Sequence, residues 1–310
     1  MEINRTPIAL GENTTIRLNV SKLPSGTVIS LYAHIFRSKN PGPTILIAGG
    51  VHGDEINGVE IVRRMVAQRL FNSLICGAVI AIPLVNLHGF NNFSRELPDG
   101  KDVNRSFPGS RNGSLAARVA SVITREIIPL IDYGIDFHTG GQSIHNYPQI
   151  RAFKDDPESL KLANIFAPPL ILESGLLAKS FRKECYKNKI PMIVYEGGES
   201  LRIDEPSIEE GINGIKRVLN HFKMLECDVP KQPSTEIYQN HKWMRAQASG
   251  IFVAERKTGD HVKKGEFMGY ITDPYTSKKS KIIAKYDCFI FGHDNKPVVN
   301  VGKALFHICY

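Results

Sequence analysis

The chain has 310 residues, 42% of them hydrophobic, and its 39 Lys and Arg against 31 Asp and Glu give a formal net charge of +8 at pH 7. This composition is typical of a soluble globular protein with room for two domains. The longest apolar run, residues 74–85, is too short to cross a bilayer, which argues against a membrane-spanning protein.

The amino-terminal elements predict the edge of an α/β sheet. Residues 15–20 and 29–35 are typical of a strand hairpin joined to the main sheet, and the apolar run 44–48, placed between Pro43 and a glycine pair, is typical of a buried strand. Apolar residues at helical spacing follow: Ile56, Val59, Val62, Val66 and Leu70. The pattern therefore predicts a strand, a corner at 49–55 and a helix.

His52 and Glu55 lie in that corner, within the motif Gly-Gly-Val-His-Gly-Asp-Glu. Ligands commonly bind at such strand-to-helix corners of open α/β sheets, and imidazole nitrogen and carboxylate oxygen both suit zinc. A single His-x-x-Glu pair is a weak metal signal, so the interpretation depends on later residues.

Two later strands end in the same way. The apolar segment 133–137 is followed by His138 and glycines, and the segment 191–195 is followed by Glu196 and glycines. If the three strands are parallel neighbours, their carboxyl ends bring these side chains and the 49–55 corner to one crevice. Taken singly, His138 or Glu196 is equally well explained as a residue that caps a strand; the three corners together favour a site.

Several polar residues near these corners have open roles. The segment 143–151 follows the third corner, which makes Arg151 a candidate for binding a charged part of a substrate and His145 a rival metal ligand. For each of them a local hydrogen-bonding role is the favoured alternative. Glu199 is a weaker candidate for a catalytic base than Glu196, because it lies further from the strand end.

The last third of the chain predicts a small β domain. Helical periodicity over 207–225 ends before a proline-containing seam at 227–234, and short apolar segments punctuated by glycine follow. We therefore predict two domains, residues 1–230 and 231–310. The turn at 259–265 resembles those of biotinyl/lipoyl-type sandwich domains but lacks an acceptor-lysine motif, so a wall at the site's mouth or a surface for assembly is expected.

A polar loop at 93–109 completes the pattern, with Ser94-Arg95, Pro98-Asp99-Gly100 and Asp102-Val103-Asn104-Arg105. Together with the motifs at 49–55, 136–140 and 196–198, it makes the chain resemble the succinylglutamate desuccinylase/aspartoacylase family of the zinc carboxypeptidase-like superfamily. The resemblance implies an α/β/α sandwich with a mixed, largely parallel sheet, followed here by the small β-sandwich or barrel domain. It also implies cleavage of the amide that joins an acyl group to a small amino acid.

The resemblance implies a metal and a base. His52, Glu55 and His138 would hold one Zn²⁺ per chain and leave a position for water, although manganese, iron or cobalt suit the same donors. Glu196 would act as the general base that passes the water's proton to the leaving amine.

The polar loop would supply the remaining groups. By resemblance, Arg95 stabilises the oxyanion, Asn104 and Arg105 grip the substrate carboxylate, and Asp102 orients a ligating histidine. Arg151 completes the predicted set as a substrate-binding residue, from its place after the third corner.

A zinc-dependent deacylase of a small N-acyl amino acid is the leading hypothesis. A metallocarboxypeptidase that trims a terminal residue from a peptide or glutamyl tail, and a non-catalytic metal-binding or carrier protein, are the alternatives. The five cysteines are scattered without a Cys-x-x-Cys pair, and the start of the chain lacks the apolar core of a signal peptide, so we expect a cytoplasmic location. No basic block is interleaved with aromatics, so no nucleic-acid or membrane partner is expected, while a homo-oligomer is compatible with the sequence.

Overall fold

One large sheet runs through most of the computed structural model, which describes residues 1–22, 25–230 and 234–310. The strands are β1 (Glu2–Ile3), β2 (Thr6–Pro7), β3 (Asn13–Lys22), β4 (Val28–Arg37), β5 (Thr44–Gly49), β6 (Ala78–Ile82), β7 (Tyr133–Gly140), β8 (Ile144–Ala152), β9 (Leu170–Glu173), β10 (Met192–Glu199), β11 (Glu236–Tyr238), β12 (His241–Arg245), β13 (Gly250–Ala254), β14 (His261–Val262), β15 (Phe267–Thr272), β16 (Lys279–Ile283), β17 (Cys288–Asp294), β18 (Val298–Val299) and β19 (Ala304–Cys309). The helices are α1 (Ile56–Ala67), α2 (Leu87–Asn91), α3 (Leu115–Glu126), α4 (Pro157–Phe166), α5 (Phe181–Lys187) and α6 (Glu205–His221), with 3₁₀ turns at Leu70–Ser73, Val103–Arg105 and Ile128–Leu130.

The centre of the large sheet is parallel and its flanks are antiparallel. The main strand order is β12-β19-β17-β8-β10-β7-β5-β6-β4-β3. Strands β10, β7, β5 and β6 are parallel neighbours, whereas β8 and β4 run antiparallel against the two sides of this group. The predicted strands at 44–48, 133–137 and 191–195 are therefore adjacent and parallel, and the predicted hairpin β3–β4 joins the sheet at β6. The predicted fold class is confirmed.

Helices cover both faces of this sheet because the strand residues alternate in direction. On β5, Leu46 and Ala48 belong to the hydrophobic core shared with α3 and α5. Ile45 and Ile47 belong to the core shared with α1, α4 and α6. Strands buried on both faces appear in the sequence as continuous apolar runs, and all six residues of β5 are buried.

Helix α6 begins two residues earlier than the apolar periodicity predicts and ends four residues earlier. Asp204 caps its amino terminus, since its carboxylate accepts a hydrogen bond from Ser207 N at 3.0 Å. Pro206 occupies the first turn, where its missing N–H leaves no bond unmade. No helix in the described ranges is both long and apolar enough to cross a membrane.

The carboxy-terminal strands form a separate core but share the large sheet. Strands β12, β19 and β17 extend that sheet beyond β8, and β16-β15-β13-β18 form a second sheet. Apolar residues such as Phe252, Met268 and Leu305 fill the space between them. The join between β17 and β8 is close, because a Cβ added at Gly292 would lie 3.0 Å from Asn146 Oδ1. The predicted domain boundary falls next to residues 231–233, outside the described residues, and stays a prediction.

Candidate active site

Three predicted metal ligands meet at the carboxyl ends of β5 and β7. His52 lies in the turn after β5, Glu55 directly precedes α1, and His138 lies within β7. Each contributes a donor atom within 4.8 Å of the others, and all three residues are buried. The Nδ1 atoms of the two histidines lie 3.1 Å apart, and each is 2.7 Å from one oxygen of Glu55.

Close backbone contacts hold this corner in place. A Cβ added at Gly53, beside the first ligand, would lie 2.0 Å from the carbonyl carbon of Gly89 in α2, so only glycine fits there. The same applies to Gly58 in α1, where an added Cβ would lie 2.6 Å from Phe137 O on β7. These contacts pack α2 on the turn and α1 on the strand that carries His138.

A carboxylate lies behind each histidine. Asp136 Oδ2 lies 2.8 Å from His138 Nε2, at hydrogen-bond distance. Asp102 Oδ1 lies 3.2 Å from His52 Nε2, but the geometry does not form a hydrogen bond. Such partners fix the tautomer that leaves the opposite nitrogen free to bind metal. Asp102 lies beside His52, and its predicted role of orienting a ligating histidine stays a prediction; Asp136 is a second carboxylate next to a predicted ligand.

Charge coupling inside the cluster is strong. Burial opposes a charge on both histidines, but neighbouring carboxylates outweigh it: Glu55 for His52, and Asp136 with Glu55 for His138, so both pKa values are raised. Burial also opposes the Glu55 carboxylate, yet the two imidazoles hold its pKa well below the usual range. The cluster stabilises whatever positive charge lies between its donors, whether protons or a metal ion.

The donor geometry fits a tetrahedral metal site. Zinc–nitrogen bonds of about 2.0–2.1 Å put neighbouring ligands of a tetrahedron about 3.4 Å apart. The observed separations of 2.7 and 3.1 Å are close to that value, so small side-chain shifts would accommodate an ion. Two nitrogens and one carboxylate are a donor set that zinc accepts, with a fourth position left for water.

Arg95 borders the cluster. Its Nη1 lies 3.1 Å from His52 Nδ1 and 3.2 Å from Glu55 Oε1. Its Nε and Nη2 both donate to Asp102 Oδ2, at 3.2 and 2.9 Å. The guanidinium is thus fixed in orientation, with one amino group directed towards the donor atoms.

Glu196, on β10 beside His138, contacts two side chains from β8, one through a hydrogen bond and one through an ion pair. Asn146 donates to its Oε2 at 2.7 Å, and Arg151 Nε lies 3.2 Å from its Oε1. Arg151 was predicted to bind substrate; the structure places it against the carboxylate of the predicted base. Asn146 is buried, and nothing in the sequence marked it out.

Asn104 and Arg105 lie in the 3₁₀ turn after the polar loop. Asn104 Oδ1 accepts a hydrogen bond from Phe181 N, at the start of α5, at 2.8 Å. This bond occupies the amide oxygen, so the Asn104 amino group is the part that can donate to a ligand. Arg105 is more exposed, and its Nη1 donates to Asn104 O at 2.6 Å.

One cleft of about 650 Å³ collects the predicted residues, with Asp102 just behind its wall. Its lining comprises His52, Glu55, Arg95, Asn104, Arg105, His138, Thr139, Gly140, Gly141, Ile144, Asn146, Arg151, Glu173, Ser174, Gly175, Leu176, Leu177, Ser180, Arg182, Val194, Glu196, His241, Trp243 and His307. Arg95 and Arg151 are paired with Asp102 and Glu196, whereas Arg105 and Arg182 have no salt-bridge partner among the described residues. An anionic ligand is favoured there.

Two open candidates lie away from the cleft lining. His145 Nε2 lies 2.8 Å from Asp204 Oδ2, and its Nδ1 lies 2.8 Å from Thr258 Oγ1. The favoured local hydrogen-bonding role thus matches its position, since it links α6 to the carboxy-terminal strands. Glu199 accepts from Asn295 Nδ2 at 2.5 Å and is buried.

Sequence reasoning missed Asp136, behind a predicted ligand, and the cleft residue Arg182. Asp136 stood two positions before His138 on a predicted strand, so strand alternation already put both on one face and could have identified it. Arg182 is a buried arginine whose Nη1 donates to Arg151 O at 2.7 Å, and burial followed by the Arg151 charge lowers its pKa to about 10. No local pattern indicates that residue.

Known proteins share this fold and its motifs. The succinylglutamate desuccinylase/aspartoacylase catalytic domain matches residues 41–222. An N-alpha-acetyl-L-2,4-diaminobutyric acid deacetylase from Halomonas elongata is 28% identical over 249 residues, covering 76% of this chain and 72% of the relative.

Solved structures agree in fold. A succinylglutamate desuccinylase/aspartoacylase from Rhodobacter sphaeroides superposes with a TM-score of 0.84 at 24% identity, over 96% of this chain and 95% of that one. The ectoine utilization protein EutE from Ruegeria pomeroyi, solved with product bound, gives 0.84 at 20% identity, over 97% of both chains. Because the catalytic-domain match spans more than half of the 310 residues, the resemblance read from the motifs is confirmed: the chain belongs to the succinylglutamate desuccinylase/aspartoacylase family, a family of deacylases.

Proposed function

We propose that this protein is a zinc-dependent deacylase that hydrolyses the amide bond of a small N-acyl amino acid in the cytoplasm. The observation that carries the proposal is the cleft in which the donor atoms of His52, Glu55 and His138 lie close together, with Glu196 and Arg95 in the same lining. The Halomonas relative, named as the deacetylase of an acetylated amino acid, supports the substrate class.

His52, Glu55 and His138 would hold a zinc ion, which when bound would supply a Lewis acid for the scissile carbonyl and lower the pKa of a water molecule. Glu196 takes the proton of the attacking water and delivers it to the leaving amine. Asn146 donates a hydrogen bond to one of its oxygens, and Arg151 forms an ion pair with the other without a hydrogen bond, so these two contacts orient the carboxylate for both transfers. General acid–base groups of this kind contribute roughly 10²–10⁴-fold.

The remaining charges position the substrate and stabilise its transition state. The Arg95 amino group beside the donor atoms donates to the developing oxyanion, an interaction typically worth about 3–4 kcal/mol. Arg105 and the free amino group of Asn104 bind the substrate carboxylate, for which the planar fork of arginine is suited. Arg105 has no carboxylate partner among the described residues, so its charge is available to this anionic end of the substrate.

The test is a hydrolysis panel on the zinc-loaded protein with two matched variants. The panel contains N-acetyl-2,4-diaminobutyrate, N-acetylaspartate, N-succinylglutamate, N-acetylglycine and N-benzoylglycine. Glu196→Gln should lower turnover by roughly 10²–10⁴-fold. Glu199→Gln, which changes another glutamate of the same strand outside the cleft lining, should stay close to the wild type.

Two outcomes would overturn the proposal. Near-wild-type turnover by Glu196→Gln would remove the proposed base. Release of free amino acids from an oligopeptide, without hydrolysis of the N-acyl panel, would favour the metallocarboxypeptidase alternative.

A further inference from the structure

The carboxy-terminal strands leave one side of their sandwich open. Strand β12 ends the order of the large sheet and β16 ends the order of the second sheet, so each has an edge without a partner among the described strands. A groove of about 510 Å³ is lined by residues of these two strands. Its apolar floor includes Met244, Ile271 and Ile282, which belong to the core of the sandwich or pack against it. The groove therefore combines apolar surface with two open strand edges.

Four cations line the groove: Lys242 and Arg245 from β12, Lys281 from β16, and Lys285 from the segment after it. None of the four forms a salt bridge with a described carboxylate, and the described lining contains no aspartate or glutamate. Asp287, the nearest acidic residue along the chain, accepts a hydrogen bond from Lys264 N at 2.7 Å instead. The charge at the rim of the groove is therefore positive and available to a ligand.

The net charge of the chain is concentrated in the same region. Residues 231–310 contain 13 Lys and Arg against 7 Asp and Glu, whereas residues 1–230 contain 26 against 24. Such a field attracts an anionic partner and repels a second cationic surface. It therefore disfavours the pairing of this groove with the same groove of another copy.

The lysines at these edges favour one kind of occupant. An open edge presents unpaired N–H and C=O groups, and lysine side chains on it discourage pairing with an apolar strand of another chain. An acidic strand meets the same lysines as an attraction. Because successive side chains of a strand point to opposite faces, a strand of alternating acidic and apolar residues also directs an apolar set to the floor of the groove.

We propose that this groove binds an extended acidic segment of a partner protein, in which acidic and apolar residues alternate. The segment adds a strand to the open edge of β16, its apolar side chains face Met244 and Ile282, and its carboxylates meet Lys281 and Lys285. In this mode of recognition the main-chain hydrogen bonds supply affinity and the alternate side chains supply selectivity. Such binding is independent of the deacylase chemistry, so a panel without hydrolysis leaves it standing.

Fluorescence anisotropy of labelled synthetic peptides with the full-length protein provides the test. A Glu-Val repeat should bind saturably, with an affinity that falls as salt is added, because the ion pairs are exposed to solvent. A Lys-Val repeat should not bind. A Glu-Pro repeat keeps the acidic charge but lacks every second backbone N–H, so it should bind roughly tenfold more weakly than the Glu-Val repeat.

Charge reversal locates the site. The double variant Lys281→Glu/Lys285→Glu should bind the Glu-Val repeat roughly tenfold more weakly, since two attractions become repulsions. Both side chains are exposed, so the fold should be unchanged, which circular dichroism checks. The double variant Lys154→Glu/Lys296→Glu makes the same change of net charge at exposed positions outside the groove and should bind like the wild type.

Four outcomes would overturn the assignment. Equal binding of the Glu-Val and Glu-Pro repeats would exclude strand addition, and equal weakening in the two double variants would reveal an effect of net charge alone. Tighter binding of a single-stranded oligonucleotide or of phosphatidylserine vesicles would assign the cationic surface to another class of partner. Dimers of the wild type that Lys281→Glu/Lys285→Glu abolishes in size-exclusion chromatography would assign the groove to a second copy of this chain.

Discussion

Asp136→Asn should weaken metal binding without unfolding the protein. Asp136 is completely buried, with Oδ2 2.8 Å from His138 Nε2 and Oδ1 without a hydrogen-bond partner among the described residues. Asparagine has the same shape, so packing is preserved while the negative charge behind the imidazole is lost. Removing such an outer carboxylate typically lowers metal affinity 10- to 100-fold, which corresponds to about 1.4–2.7 kcal/mol.

The assay is competition for Zn²⁺ against a chromophoric chelator at neutral pH, with far-ultraviolet circular dichroism to confirm folding. Asp132→Asn is the matched control: Asp132 directly precedes the same strand, and its carboxylate accepts a hydrogen bond from Thr44 N at 2.7 Å, away from the cleft lining. That variant should bind zinc like the wild type. If a folded Asp136→Asn protein also retains wild-type affinity, Asp136 does not support the ligand and the reasoning is refuted.

Two further predictions concern protons and the base. The pKa values of His52 and His138 are both raised in the metal-free cluster. Their ion pairs with carboxylates therefore stabilise the fold below pH 6.5, and this stabilisation is lost as the pH rises through the raised pKa values. Because zinc binds the deprotonated imidazoles, zinc binding at pH 7 should release at least one proton. Calorimetry in buffers of different ionisation enthalpy measures this release, and a binding heat independent of the buffer would contradict it. Asn146→Ala should raise the activation free energy by up to about 1.5–3 kcal/mol, which lowers kcat by up to roughly 10- to 150-fold, because the charged form of Glu196 loses a hydrogen bond. Steady-state kinetics provide the check, and an unchanged kcat would show that Arg151 alone positions the base.

The central fold and the ligand corner could be predicted because their signals are local. A strand buried on both faces, such as β5, appears as an unbroken apolar run, and the glycines at its end mark the corner where His52 stands. Once β7 and β10 are recognised by the same pattern, parallel pairing brings their ends together without further assumptions. The motif at 93–109 then placed Arg95 and Asp102 by resemblance.

The rest of the cleft depends on contacts between distant segments. Arg151 meets Glu196 only because β8 runs antiparallel to β10, a pairing that no local pattern of residues 144–152 indicates. Trp243 and His307 reach the cleft because β17 joins β8 and continues the large sheet. The sequence predicted the β domain as a wall at the site's mouth or a surface for assembly, without indicating which of its residues would line the cleft. Register across sheet edges is set by side-chain packing over the whole molecule.

The most direct test of the central claim is a crystal structure of the zinc-loaded protein with anomalous data collected at the zinc edge. The account predicts one anomalous peak per chain, about 2.0–2.2 Å from His52 Nδ1, His138 Nδ1 and a Glu55 oxygen, with Glu196 facing the open side of the ion. Zinc bound at another group of residues, or loaded protein that hydrolyses the panel with no peak between these three side chains, would contradict it.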